Sequence, residues 1–432
     1  MADTILHPQH ALGEFSHAAA RFGGLVVPES AVEHAVFWSV AAQYVLYFLG
    51  LAPIAPLLTA GPVIGFAALR IFRDRTLPHW LPMLWFGCML GVLLQMLAVF
   101  WLKGVGGWYV PGWLWTFGLA AFLPMAGRLV RPAVVFSAAA VLGVQTLIYS
   151  AIAWPVVSAG LEPHYPSPIP ESHMIDPASN SVRLIQPTRI AGAEHRLIAF
   201  TAFPTSAGAV ACIFGLLTLG QRMSWWKVLA LAGWIALAVL AVARTAMISG
   251  VLAFTLYGLL KIRRRFLFLF GGAALMLGMA FTGPILRTAD AAYSLVRESR
   301  SPSSQDRTNL RRLAWDNWRY GDDAVLGEGA SVRGGPIVYD VGLGTHDAFQ
   351  SNFFMRGALG FGLTMLPVVV TLVFGFFAGR SPAERVTATA SLVLLITAYS
   401  QELQSLYVHV WPAFLVIGAA AVRPPDPAAL AA

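Results

Sequence analysis

Residues 79–102 read HWLPMLWFGCMLGVLLQMLAVFWL, without one Asp, Glu, Lys or Arg. A helix needs about 20 consecutive apolar residues to cross the roughly 30 Å hydrocarbon layer of a bilayer. This stretch supplies them. The run is continuous rather than alternating, so it predicts a membrane helix and not a barrel strand, in which polar and apolar residues alternate over about ten positions.

Similar runs lie on both sides of it. The sequence predicts twelve spans, at 34–50, 53–72, 79–102, 108–127, 132–156, 197–219, 225–243, 244–260, 266–283, 350–379, 384–400 and 404–421. The expected fold class is therefore an all-α polytopic membrane protein of about twelve transmembrane helices with two larger loops, the second containing short amphipathic helices. The composition agrees, since the chain is 57% hydrophobic and 12% charged, whereas a soluble globular domain is about 25% charged. Residues 1–33 lack the apolar core of a signal peptide and are expected to be an N-terminal tail. Helices 1–5 then occupy 34–156, a loop 157–196, helices 6–9 197–283, a larger loop 284–349, helices 10–12 350–421, and a second tail 422–432.

The basic residues alternate from one connection to the next. Arg70, Arg73 and Arg75, then Arg128 and Arg131, Arg222 and Lys227, Lys261 with Arg263, Arg264 and Arg265, Arg380 and Arg385, and finally Arg423 all fall on one side of this topology. The opposite short connections hold little that is basic beyond Lys103 and Arg244. By the positive-inside rule both termini are expected in the cytoplasm and both long loops outside. The net charge of +8 is thus a matter of orientation and of an anionic ligand. No basic run is interleaved with aromatics, so no nucleic-acid partner is expected. Cys88 and Cys212 stand far apart in apolar stretches and imply neither a disulfide framework nor a Cys-based zinc site.

The two loops differ in character. Loop 157–196 carries Pro163, Pro166, Pro168, Pro170, Pro177 and Pro187, which disfavour regular structure. In loop 284–349, Leu310, Leu313, Ala314 and Trp318 recur at helical intervals within Arg307–Tyr320, and a second short helix is expected over Asp290–Arg300. Arg287, Arg297, Arg300, Arg307, Arg311, Arg312, Arg319 and Arg333 lie in the same loop, against Asp290, Glu298, Asp306, Asp316, Asp322, Asp323, Glu328 and Asp340. Most of these are ordinary solvated charges, because an exposed ion pair contributes only about 0–1 kcal/mol. The loop has no lysine, however, and a guanidinium fork suits phosphate oxygens better than a point charge does.

Three more arginines stand at the outer ends of spans: Arg196, Arg244 and Arg356. An arginine at membrane depth costs at least about 2.5–3.5 kcal/mol on insertion scales, so it faces a cavity or a partner. Arg356 fits this by depth, whereas Arg196 and Arg244 can also snorkel to the interface. His346, in Gly342-Leu343-Gly344-Thr345-His346-Asp347, lies at the mouth of the tenth span, and its imidazole can accept a proton from a hydroxyl nucleophile, with Asp347 beside it. His195 and His409 compete for that role. His164, His173 and His195 match no common metal-ligand spacing, and the chain contains neither a Walker A sequence nor a Gly-x-Ser-x-Gly elbow.

These residues resemble the O-antigen ligase and O-antigen polymerase superfamily of bacterial inner-membrane proteins. The likeness is fullest in the last third of the chain, where His346-Asp347 is followed after nine residues by Gly357-Ala358-Leu359-Gly360. The ligase pattern has Asn, Ser or Gln where Asp347 stands, and Thr or Val where Phe361 stands. Arg311 with Trp315, and Gly327-Glu328-Gly329, resemble the Arg-x-x-x-Trp and Gly-x-Gly elements of the family's large periplasmic loop. Arg244-Thr245-Ala246 resembles a Ser-Arg-Gly helix opening, and Arg196 ahead of Phe203-Pro204-Thr205 resembles an Arg before Asn-Pro-Asn.

The resemblance implies an enzyme of the inner membrane that transfers polysaccharide from undecaprenyl pyrophosphate to a lipid A-core hydroxyl at the periplasmic face, without metal or cofactor. His346, Arg311 and Arg196 are then the expected catalytic residues, and Arg244, Arg312, Arg356 and Asp347 the expected substrate-binding ones. The partners implied are the lipid-linked polysaccharide, the lipid A-core acceptor and membrane lipids. Three alternatives stand beside this reading: a polymerase of the same superfamily, a lipid-linked glycan transporter or flippase, and a metal-using lipid-phosphate glycosyltransferase. The matching Gly/Pro-interrupted helices of a transporter are not seen in two halves. A metal-using lipid-phosphate glycosyltransferase would want acidic residues in its first outer turn, and Gly50-Leu51-Ala52-Pro53 has none.

Overall fold

The computed structural model describes residues 21–22, 24–51, 55–74, 79–103, 110–159, 161, 164–166, 181–183, 185–186, 196–201, 204–262, 276, 279, 312, 315–316, 319, 324–327, 356–378, 381–398, 406–407 and 409–422. The helices are α1 Ala31–Ala41, α2 Gln43–Phe48, α3 Ala55–Asp74, α4 Trp80–Lys103, α5 Val110–Ala126, α6 Pro132–Ser158, α7 Pro204–Gly220, α8 Trp225–Leu240, α9 Arg244–Leu259, α10 Gly357–Ala378, α11 Pro382–Thr397 and α12 Trp411–Ala421. Three of them are long and apolar enough to cross a membrane: Trp80–Leu102, Pro132–Val156 and Gly357–Ala378. The protein is accordingly a helical, membrane-associated one. At 16 residues each, α8 and α9 reach only about 24 Å at 1.5 Å per residue, short of the hydrocarbon thickness. The expected first span, 34–50, is two helices meeting at Ala42, and the chain turns away at Gly50 with φ +71°. The expected ninth span contributes only Met276 and Met279 to the described residues.

Two helices are buried on nearly every side. In α7 the side chains from Ser206 to Thr218 are buried throughout, and in α12 only Ala419 interrupts the burial from Trp411 to Ala421. A helix that is apolar all round belongs in the interior. Accordingly α12 packs against α4, α5, α6, α7 and α11, and α7 against α6, α8, α9, α11 and α12. Lipid is as apolar as leucine, so close packing and interhelical hydrogen bonds must hold the helices together. A Cβ on Gly418 would overlap the Pro124 carbonyl of α5, and one on Gly233 the Gly143 carbonyl of α6, so glycine lets the backbones touch there. The indole N–H of Trp85 donates to Thr371 Oγ1 at 2.8 Å, joining α4 to α10, and that of Trp234 to Thr218 Oγ1 at 3.1 Å, joining α8 to α7. Thr371→Val should lower stability by about 0.6–1.7 kcal/mol, measured as a shift of the thermal midpoint in detergent, with the fold otherwise retained.

Helix starts are set by serine caps. Ser381 Oγ accepts from the Glu384 amide at 3.2 Å while Glu384 returns a bond to the Ser381 amide at 2.8 Å, with Pro382 at the first helical position. The Ser224 and Ser30 hydroxyls accept from the Lys227 and Glu33 amides and cap α8 and α1 without that reciprocal bond.

The helical architecture agrees with the all-α expectation, and short strands accompany it among the described residues. Three two-stranded antiparallel ladders are present: β1 Arg21–Phe22 with β2 Leu25–Val26, β3 His164–Pro166 with β4 Ser181–Arg183, and β5 Ile185–Gln186 with β6 Arg196–Leu197. The last two fall in the loop whose prolines argued against regular structure; a two-stranded ladder leaves each strand an open edge, where Pro166 needs no N–H. The described part of the N-terminal tail, from Arg21, is docked on the bundle. Gln221 donates to the Gly24 carbonyl at 2.7 Å, and the Val26 amide to Ser137 Oγ at 2.9 Å. Arg131 bonds Glu33, Glu29 and the Val27 carbonyl. These contacts mark one end of the bundle, hereafter the basic end.

Candidate functional site

At the opposite end, α10 begins with an arrangement that only glycine permits. Gly357 has φ +63°, and a Cβ there would overlap the Gly327 amide nitrogen and the Val325 carbonyl. The segment Ala324–Gly327 therefore lies directly on the helix start. It supplies acceptors to amides that a helix N-terminus leaves unsatisfied: Ala358 N–H donates to Ala324 O at 2.9 Å and Leu359 N–H to Val325 O at 3.1 Å. Gln95 locks the junction from α4, its carboxamide nitrogen donating both to Leu326 O and, at 3.1 Å, to Arg356 O. Gly360 leaves room for that amide, since a Cβ on it would overlap Gln95 Oε1.

Arg356 sits at the centre of this junction and is 3% exposed. Its Cζ lies 5.1 Å from the centroid of the Phe117 ring on α5, close enough for a cation–π attraction. Tyr407, just before α12, meets the same ring edge-on at 6.5 Å and packs on Trp85 and Phe414 as well. Among the described residues here, Tyr407 Oη and Gln95 Oε1 are buried without a hydrogen-bond partner. A guanidinium, a hydroxyl and a carbonyl oxygen thus meet in one apolar setting, a set that can bind a phosphate or a sugar hydroxyl and can equally fix the backbone around it.

The other expected residues fall as follows. Arg196 is half-buried on β6, opposite Gln186, and its Nε makes no hydrogen bond. Arg244 is exposed at the first position of α9, after a tight turn in which Val242 takes φ +49°. Because β6 packs on α7 and α8, and Arg244 follows the last turn of α8, these two arginines share an end of the bundle. It is also the end of Arg356, since α9 runs antiparallel to α11 and α11 to α10: Arg385, early in α11, lies against Tyr257, late in α9, and Gly375, late in α10, packs on Ala388. Arg312 is helical and exposed, as are Trp315, Asp316 and Arg319, which form one face of the expected amphipathic helix. His346, Asp347 and Arg311 lie outside the described residues, as do His173 and His195. His409 is half-buried before α12, and His164 is in β3. Among the described residues no group of three or more His, Cys, Asp or Glu is placed to hold a metal ion.

Gln95 and Tyr407 were not singled out by the sequence. Gln95 was visible, as the one amide in the stretch that sets the fold; Tyr407 gave no signal beyond being an aromatic in an apolar run. Their roles separate by mutation. Gln95→Leu removes two bonds and leaves the Leu326 and Arg356 carbonyls without that donor, so it should lower stability by about 1–3 kcal/mol. Tyr407→Phe removes a hydroxyl with no partner, so thermal stability should hold or rise. If that hydroxyl serves a ligand, Tyr407→Phe alone should lower turnover without lowering the melting temperature.

A comparison with protein-family models and with curated proteins found no match for this chain.

Proposed function

We propose that the protein is a glycosyltransferase of the O-antigen ligase kind, transferring a glycan from undecaprenyl pyrophosphate to a lipid A-core hydroxyl. The observation that carries this reading is the junction at α10. The loop glycine Gly327 and the helix-opening glycine Gly357, thirty positions apart and both part of the resemblance, lie in direct backbone contact. The reading takes the arginine-rich segment before Gly327, and His346 between these two glycines, to act at the end of the bundle that carries Arg196, Arg244 and Arg356.

In this proposal twelve spans carry the chain across the bacterial inner membrane, with both termini cytoplasmic and the Arg356 end periplasmic. Arg311, Arg196, Arg244 and Arg312 bind the donor pyrophosphate. They stabilise the charge that grows on it as the anomeric C–O bond breaks, each key donor contributing about 2.7–4 kcal/mol in comparable sites. The acceptor oxygen attacks the anomeric carbon from the opposite face, the pyrophosphate leaves with the bonding pair, and His346 takes the acceptor's proton, with Asp347 orienting the imidazole. Direct displacement inverts the anomeric centre. In this proposal Arg356, 3% exposed, holds the junction beside the donor site.

The test is incubation of purified protein with a lipid-pyrophosphate glycan and rough lipopolysaccharide, without divalent metal, followed by a gel. A ladder on the lipopolysaccharide is expected. Product only when a second lipid-linked chain replaces that acceptor would move the protein to the polymerases. No product with either acceptor, alongside movement of the intact donor across the membrane, would overturn the enzyme reading.

A further inference from the structure

At the basic end, Tyr257 is the meeting point of three cations from three parts of the chain. Arg385 Cζ lies 5.7 Å and Lys261 Nζ 5.1 Å from the centroid of its ring. The Tyr257 hydroxyl donates to the Leu219 carbonyl at 3.1 Å, and the same carbonyl accepts from Lys227 Nζ at 2.9 Å. Part of this is helix capping, since Lys227 also bonds the Gln221 carbonyl at 2.8 Å and cations favour a helix C-terminus. Capping accounts for Lys227 and a bond to the Tyr257 hydroxyl for part of Arg385, but neither brings a negative charge to Arg385 or Lys261. Among the described residues none of the three is ion-paired with a carboxylate, and the Lys261 charge acts against that of Lys227. Arg385 Nε is buried without a hydrogen-bond partner. Arg131, at the same end, shows the contrast, because two carboxylates neutralise it.

Like charges gathered around one buried ring are unfavourable until an anion joins them. The surrounding surface indicates which anion. Met223 and Trp225 are 80% and 56% exposed beside the cluster, as interfacial anchors are. Helices α8 and α9 each pack along α7 and touch each other little, and both turn apolar side chains outward, among them Val228 and Leu259. Charge at the end and hydrocarbon along the flanks match a lipid better than a soluble anion. We propose that Lys227, Lys261 and Arg385 around Tyr257 form a binding site for the headgroup of an anionic phospholipid, whose chains lie along the exposed apolar faces of α8 and α9.

The test uses the full-length protein in mild detergent, with thermal stability and native mass spectrometry as readouts on adding phosphatidylglycerol, phosphatidylcholine or inorganic phosphate. The wild type should gain stability and retain lipid with phosphatidylglycerol only. A basic residue near an anionic surface contributes a factor of roughly five in affinity. Lys261→Gln, which removes an exposed cation without a hydrogen bond, should therefore weaken retention about fivefold, and Lys227→Gln/Lys261→Gln/Arg385→Gln on the order of a hundredfold. Equal retention by wild type and Lys261→Gln would overturn the proposal even if the triple variant fails to fold. An equal response to phosphatidylcholine would remove the headgroup's role, and an equal response to inorganic phosphate would make this a free-anion site.

Discussion

His346→Ala should slow glycan transfer by about 10²–10⁴-fold, the range over which a positioned general base contributes to a proton-transfer step. On the proposed reading the acceptor hydroxyl is a poor nucleophile until its proton has somewhere to go, and no other expected residue combines imidazole chemistry with that place in the sequence. Arg311→Ala should cost about 10²–10³-fold, since it withdraws one donor from the leaving pyrophosphate. The two losses differ in kind. His346→Ala should erase the acid limb of the pH–rate profile, whereas Arg311→Ala should preserve that profile and should not be rescued by Arg311→Lys, which lacks the fork. Near-normal turnover by both variants, on protein of unchanged melting temperature, would remove both assignments.

How much of this the sequence disclosed depended on the kind of interaction. Continuous apolar runs such as 79–102 and 132–156 announced α4 and α6, because burial in lipid is a property of a stretch and survives errors of register. The interior positions of α7 and α12 were not legible: in a membrane protein the lipid face and the core face are both apolar, so periodicity loses its contrast. The ladders of the 157–196 loop were missed because two or three paired residues leave almost no pattern. In the candidate site, Arg356 was legible as a charge at membrane depth, and Gly357 and Gly360 as part of a motif. Their dependence on Gln95 was not, because a hydrogen bond between residues 261 positions apart leaves no local trace. The docked tail went unread for the same reason. Glu33 and Arg131 pair across 98 positions, a spacing that no local pattern records.

That pair carries the second large expectation. Arg131→Ala should destabilise the protein by about 3 kcal/mol, the lower end of the cost of breaking a buried ion pair. Glu33 is 5% exposed in its side chain and Arg131 15%. The guanidinium donates to both Glu33 oxygens, Nε at 2.8 Å and Nη2 at 2.7 Å. The lower end applies because the alanine variant keeps two backbone donors to the same carboxylate, Glu29 N–H at 2.9 Å and Arg131 N–H at 3.1 Å. Burial works against ionising Glu33, but the Arg131 hydrogen bonds, those two amides and the arginine's charge together hold its carboxyl below the usual range. A depressed carboxyl binds fewer protons folded than unfolded, so its contribution is present in full above the ordinary carboxylate range and is lost as pH falls through the folded value. Arg131, raised further by the same carboxylates, stays charged throughout. Wild-type stability should therefore decline on acidification below the carboxylate range, and Arg131→Ala should flatten that decline as well as lower the plateau. Thermal melts of both proteins across the acid range decide the matter: parallel curves would mean that the tail is anchored by its backbone contacts and that the ion pair contributes nothing of its own.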